Sequence, residues 1–98
     1  MVESPLSFSV EGGIIAVSGF IDRNTAPQLL KGIHLEKLKE QQLTLDLAAV
    51  DKVDTAGLAW ILKLKAHTEK SGQTLVLKHL PEQLKRLASL SGVDTLLN

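Results

Sequence analysis

Cysteine is absent from the 98 residues, which excludes disulfides and thiolate metal sites. Tyrosine is absent too, and the only aromatic side chains are Phe8, Phe20 and Trp60. Proteins that hold single-stranded bases need aromatic platforms for stacking, and this chain cannot build one. Charge of one sign is also missing: eleven basic and eleven acidic residues cancel to a formal net charge of zero. Phosphate contacts dominate nucleic-acid affinity and require a basic excess, so no nucleic-acid partner is expected. No apolar run approaches the roughly 20 residues of a membrane span. The opening MVESPLSFSVEGG has neither a basic n-region nor an apolar h-region, so no signal peptide and a cytoplasmic location are expected. Work at a membrane would then require a partner to hold the chain there, without direct insertion.

What is present is an ordinary globular balance, with 44% apolar residues, mostly Leu, Val, Ile and Ala. A chain of this length forms one domain, residues 1–98, with one compact core. Leu6, Phe8 and Val10 alternate with Ser7 and Ser9, the period of a half-buried edge strand. Gly12-Gly13 turns the chain into a second, more apolar strand over Ile14 to Ile21, completing a hairpin. Thr25 and Gln28 have the spacing of a capping box, and Pro27 fits a first helical turn, so a helix is expected from Thr25 to about Glu40. Leu43 to Val50 reads as a central strand, followed by a loop over Asp51 to Asp54. A second helix is expected from Thr55 to about Ser71, with Gly72 at its C-terminal cap. Its inner face is expected to comprise Leu58, Ile61, Leu62 and Lys65. Thr74 to Leu80 is a further strand. Pro81 is placed at the first position of a third helix that Gly92 ends. The tail, with Val93, Leu96 and Leu97, is expected to pack back as a final turn. The order β-β-α-β-α-β-α implies an α/β domain: a four-stranded mixed sheet with three to four helices.

Residues able to do chemistry are scattered. His34, His67 and His79 fall in no metal-ligand spacing. There is no G-x-S-x-G elbow and no phosphate-cradling glycine loop. Of Asp22, Asp46, Asp51 and Asp54, Asp22 and Asp54 follow the carboxyl ends of two predicted strands, where sites gather in open α/β sheets, and Asp46 lies within a strand. A carboxylate pair there could hold Mg²⁺, but a cap, a turn and a loop start are locally sufficient for Asp54, Asp51 and Asp22. With no accompanying nucleophile or base, no catalytic residue, metal or cofactor is expected.

One stretch stands out, Leu43 to Leu64, LTLDLAAVDKVDTAGLAWILKL. Small residues and a hydroxyl at a helix N-terminus leave backbone N–H groups open and allow another chain to come close. Asp46-Leu47-Ala48-Ala49-Val50 and Asp54-Thr55-Ala56-Gly57-Leu58 together resemble the signature of STAS domains, the family named for sulfate transporters and anti-sigma-factor antagonists. Val17-Ser18-Gly19-Phe20-Ile21-Asp22 resembles the family's second-strand ending. The resemblance implies a STAS-like fold and a non-enzymatic, partner-binding role. In the antagonists a phosphorylated Ser or Thr directly precedes the motif glycine; here that residue is Ala56, and only Thr55 could accept a phosphoryl group. The Asp-Thr-small-Gly-Leu form is instead similar to the MlaB branch, the STAS subunits of Mla phospholipid-transport ABC systems, which maintain outer-membrane lipid asymmetry. That likeness implies binding to the ATPase subunit of a complex that also contains a permease, at the cytoplasmic side of the inner membrane. The partner-binding residues expected on this basis are Asp54, Thr55, Ala56, Gly57, Leu58, Trp60 and Lys63, with Thr55 leading. If Leu58, Ile61 and Leu62 face the sheet, Trp60 projects outward as a further anchor.

Overall fold

The computed structural model describes residues 6–34 and 37–97, with the side chains of Leu30 and Lys31 outside that description. The chain runs β1 (Leu6–Glu11), β2 (Ile14–Ile21), α1 (Ala26–Gly32), β3 (Gln42–Val53), α2 (Thr55–Lys70), β4 (Thr74–Lys78), α3 (Glu82–Leu90) and a closing 3-10 turn, Asp94–Leu97. The four strands form one sheet in the order β1-β2-β3-β4. β1 pairs antiparallel to β2 across a turn in which Gly12 and Gly13 both have positive φ. β2–β3 and β3–β4 are parallel. Two right-handed crossovers stepping in the same direction put α1 and α2 on one face of the sheet.

The core lies between that face and the helices. Ile15, Val17 and Ile21 of β2, Leu43, Leu45 and Leu47 of β3, and Leu75 of β4 point into it. Leu29 and Ile33 from α1 and its end, Leu58, Ile61 and Leu64 from α2, and Leu84 and Ala88 from α3 meet them. Ile14 and Phe20, on the opposite face, stay exposed. β2 is therefore less continuously buried than its apolar run suggests.

Several boundaries differ from the sequence expectation. β3 does not stop at Val50: Lys52 and Val53 still pair with Phe20 and Ile21, so the expected loop is mostly strand. The extension is possible because β3 carries two register irregularities, opposite Ala16/Ser18 and Gly19/Phe20. Each inserts an extra residue, which moves the buried positions from Leu47 to Val50 and then Val53. α1 ends at Gly32, well before Glu40, and Ile33 behind it is extended; residues 35–36 of the expected continuation lie outside the described residues. The capping box does not form, because Thr25 is itself in helical conformation and its hydroxyl is engaged elsewhere. β4 ends at Lys78, where His79 takes a positive φ of 58°. Pro81 caps α3 instead of opening it. The tail does fold back, with Leu97 buried.

The largest correction concerns α2. Its inner stripe is Gly57, Leu58, Trp60, Ile61, Leu64 and Thr68. Trp60 is 3% exposed, so it belongs to the core and not to the outer surface. Leu62 is only half-buried. Lys65 is half-buried as well, and its ammonium reaches Glu69 one turn on, at 3.6 Å. The stripe is rotated because Gly57, which has no apolar side chain to announce it, lies closest to the sheet.

Candidate functional site

The carboxyl ends of β2 and β3 bring two turns side by side. In the first, the Asp22 carboxylate accepts from the N–H groups of Asn24 and Thr25 at 2.9 and 3.0 Å. The Thr25 hydroxyl donates to the Phe20 carbonyl at 2.8 Å and accepts from the Asp22 N–H at 2.9 Å. Thr25, 3% exposed, thus knots the exit of β2 to the start of α1. Sequence reasoning took it for a helix cap and missed this role.

In the second turn, Asp54 donates its N–H to the Ile21 carbonyl at 3.2 Å. Its side chain caps α2 by accepting from the Gly57 N–H at 2.9 Å. Gly57 then passes directly over β2: a Cβ there would stand 2.2 Å from the Ile21 carbonyl oxygen. Gln83 of α3 braces the turn from the far side, accepting from the Val53 N–H at 2.9 Å. Three elements therefore fix the N-terminus of α2 in place.

The seven expected partner-binding residues divide on this frame. Asp54, Gly57 and Leu58 are committed to structure: Asp54 is the half-buried cap, and the other two are buried. Trp60 is buried as well and is not an outward anchor. Thr55 and Lys63 are exposed, and Ala56 is half-buried between them. An open groove of about 370 Å³ separates α1 from α2, lined by Arg23, Ala26, Pro27, Ala56, Ala59, Trp60 and Lys63. Arg23, Ala26, Pro27 and Ala59 carried no sequence signal, because only the packing of α1 beside α2 brings them to the same place.

The carboxylates do not converge. Asp22 and Asp54 serve their own turns, and Asp46 lies on the sheet face opposite the core. Among the described residues no group of three or more His, Cys, Asp or Glu side chains could hold a metal ion. Asp46 has a local role that the sequence did not suggest. Its carboxylate accepts from the Ala48 N–H at 3.0 Å, holding the first bulge of β3, and meets His79 Nδ1 at 3.0 Å. The Ala48 N–H first, and then His79, hold its carboxyl below the usual carboxylate range. A lowered folded-state value stabilises the fold above the ordinary range, and that contribution is lost as pH falls through the lowered value. Of the other histidines, His67 is exposed on α2, and His34 is exposed beyond the end of α1.

A mixed four-stranded sheet covered on one face by three helices, with the exit of β3 feeding a capped helix, is the STAS fold. A family model described as "Mlab, STAS domain" matches residues 5–98, and the chain belongs to that STAS-domain family. Solved structures agree. An anti-sigma factor antagonist from Mycobacterium paratuberculosis is 27% identical, with 92% of this chain and 79% of that one covered at a TM-score of 0.67. A sulfate transporter family protein from Wolinella succinogenes is 20% identical over 92% of this chain and 75% of that one, at 0.68. The murine anion transporter Slc26a9 shares the fold at 21% identity and a TM-score of 0.67; there 87% of this chain corresponds to 15% of a much longer one. Among the described residues no helix is long and apolar enough to cross a membrane.

Proposed function

We propose that this chain is a non-enzymatic STAS subunit that docks, through the N-terminal half of α2, onto the ATPase of an Mla-type phospholipid-transport ABC complex. In this reading it is cytoplasmic and lies at the inner membrane through its partner, beside a permease. The observation that carries the reading is the division of labour in the D-T-A-G-L segment. Asp54, Gly57 and Leu58 are locked to β2 and the core, while Thr55 stands exposed on top of them. A surface held this rigidly loses little conformational freedom on binding, which favours affinity. The matching family model is described as "Mlab, STAS domain", which supports this reading.

The test is Thr55→Arg. It places a long, charged side chain at the centre of the proposed contact, on a residue whose own side chain is exposed. Affinity for the purified ATPase subunit, measured by calorimetry, should fall by about 2 kcal/mol, with thermal unfolding of the isolated chain unchanged. Equal affinities for wild type and variant would contradict the reading.

An anti-sigma-factor antagonist is the second reading, and the exposed hydroxyl of Thr55 is the observation in its favour. Against it, the residue directly before Gly57 is Ala56, which cannot be phosphorylated. Incubation with a partner serine/threonine kinase and ATP, followed by intact-mass measurement, separates the two. A phosphorylated species lost in Thr55→Ala would favour the antagonist.

A further inference from the structure

The groove between α1 and α2 has a composition that the docking reading does not use. Its walls are short, Ala26 and Pro27 on one side and Ala56 and Ala59 on the other, with Trp60 between them. Two cations, Arg23 and Lys63, stand at its margins, both exposed. No acidic side chain lines it, and neither cation has an ion-pair partner among the described residues. In a chain of zero formal net charge, this is a local excess of positive charge around an apolar trough. Trp60 forms part of the trough, with its Nε1–H buried and without an acceptor among the described residues.

We infer that this groove receives an amphipathic helix of the partner protein, with aliphatic side chains between the alanines and carboxylates against Arg23 and Lys63. The inference rests on the docking reading above and specifies the chemistry of the partner. Short side chains on two adjacent helices leave room for the ridge of a third. The flanking cations select acidic margins on it and set its direction along the trough. A second copy of this chain suits the groove badly, because a two-fold interface would set Arg23 and Lys63 against their own kind. A lipid surface suits it no better: the trough is concave, and two cations on a chain of zero net charge are too few for stable adsorption to anionic headgroups.

The experiment uses the full chain and the purified ATPase subunit. Arg23→Glu and Lys63→Glu are exposed charge reversals that leave the core untouched. Each should weaken binding about tenfold, and the loss should shrink as salt is raised. A photocrosslinking residue at the exposed position of Ala59 should mark one segment of the ATPase. That segment should read as a helix with Asp or Glu on either side of its apolar stripe, and changing one of those acids to Lys should restore binding to Lys63→Glu. Binding lost in Thr55→Arg but unchanged in Arg23→Glu and Lys63→Glu would overturn this inference and leave the docking reading standing. No binding by the wild-type chain would remove both. Crosslinks from Ala59 to a second copy, or sedimentation of the chain with anionic phosphatidylglycerol vesicles that Lys63→Glu abolishes, would give the groove another occupant and overturn the inference.

Discussion

Trp60→Ala is expected to destabilise the isolated chain by about 3–5 kcal/mol, the usual cost of deleting a large aromatic side chain from a core. Trp60 is 3% exposed and sits in the same stripe as Ile61 and Leu64. A domain of this size has a total stability of about 5–15 kcal/mol, so the variant should retain little margin at 37 °C. Circular dichroism melts against wild type measure the loss. Trp60→Phe should cost much less, since it keeps most of the packing and removes the unpaired Nε1–H. A Trp60→Ala melt within a few degrees of wild type would contradict the burial described here. The consequence for function is direct: loss of partner binding in Trp60→Ala would report unfolding and not a lost contact, unlike the same loss in Thr55→Arg.

Gly57→Ala should be nearly as damaging, at about 3 kcal/mol, the upper range for overpacking a tight site. The added methyl would stand 2.2 Å from the Ile21 carbonyl oxygen and 2.9 Å from a methyl of Val53. Backbone and a β-branched side chain cannot make room cheaply, so the start of α2 must lift away from β2. At about 4–8 °C per kcal/mol for a domain of this length, the melting temperature should fall by roughly 12–24 °C. Ala59→Ser, on the exposed side of the same helix, should be close to neutral. If Gly57→Ala melted like wild type, the close approach of α2 to β2 would be wrong, and with it the rigid platform under Thr55.

These two residues also show how far the sequence could be read. The order of elements and the mixed sheet followed from periods of two and 3.6 and from the turn residues between them. The D-T-A-G-L segment was legible as a helix start, and Asp54 does cap it. The face of α2 was not, because the stripe that meets the sheet begins at a glycine. Hydrophobicity alone centred the stripe on Leu58 to Leu62 and turned Trp60 outward. The full length of β3 was hidden by its two bulges, which break the alternation after Leu47; the first is held by an Asp46–Ala48 hydrogen bond that no pattern announces. Thr25 offered a plausible cap, but tertiary contact with the Phe20 carbonyl claimed its hydroxyl. The groove required both α1 and α2 to be in place before Arg23 and Lys63 became neighbours.

The central proposal is that the N-terminal half of α2 is a fixed outer surface on which another protein docks. The most direct measurement is an NMR titration of the isotope-labelled chain with the unlabelled ATPase subunit, following backbone amides. Signals of Thr55, Ala56, Ala59 and Lys63, with Arg23 across the groove, should shift or broaden first. Those of Ile14 and Phe20 on the open sheet face should stay in place. Perturbation confined to the sheet face, with the α2 amides unmoved at saturation, would contradict it.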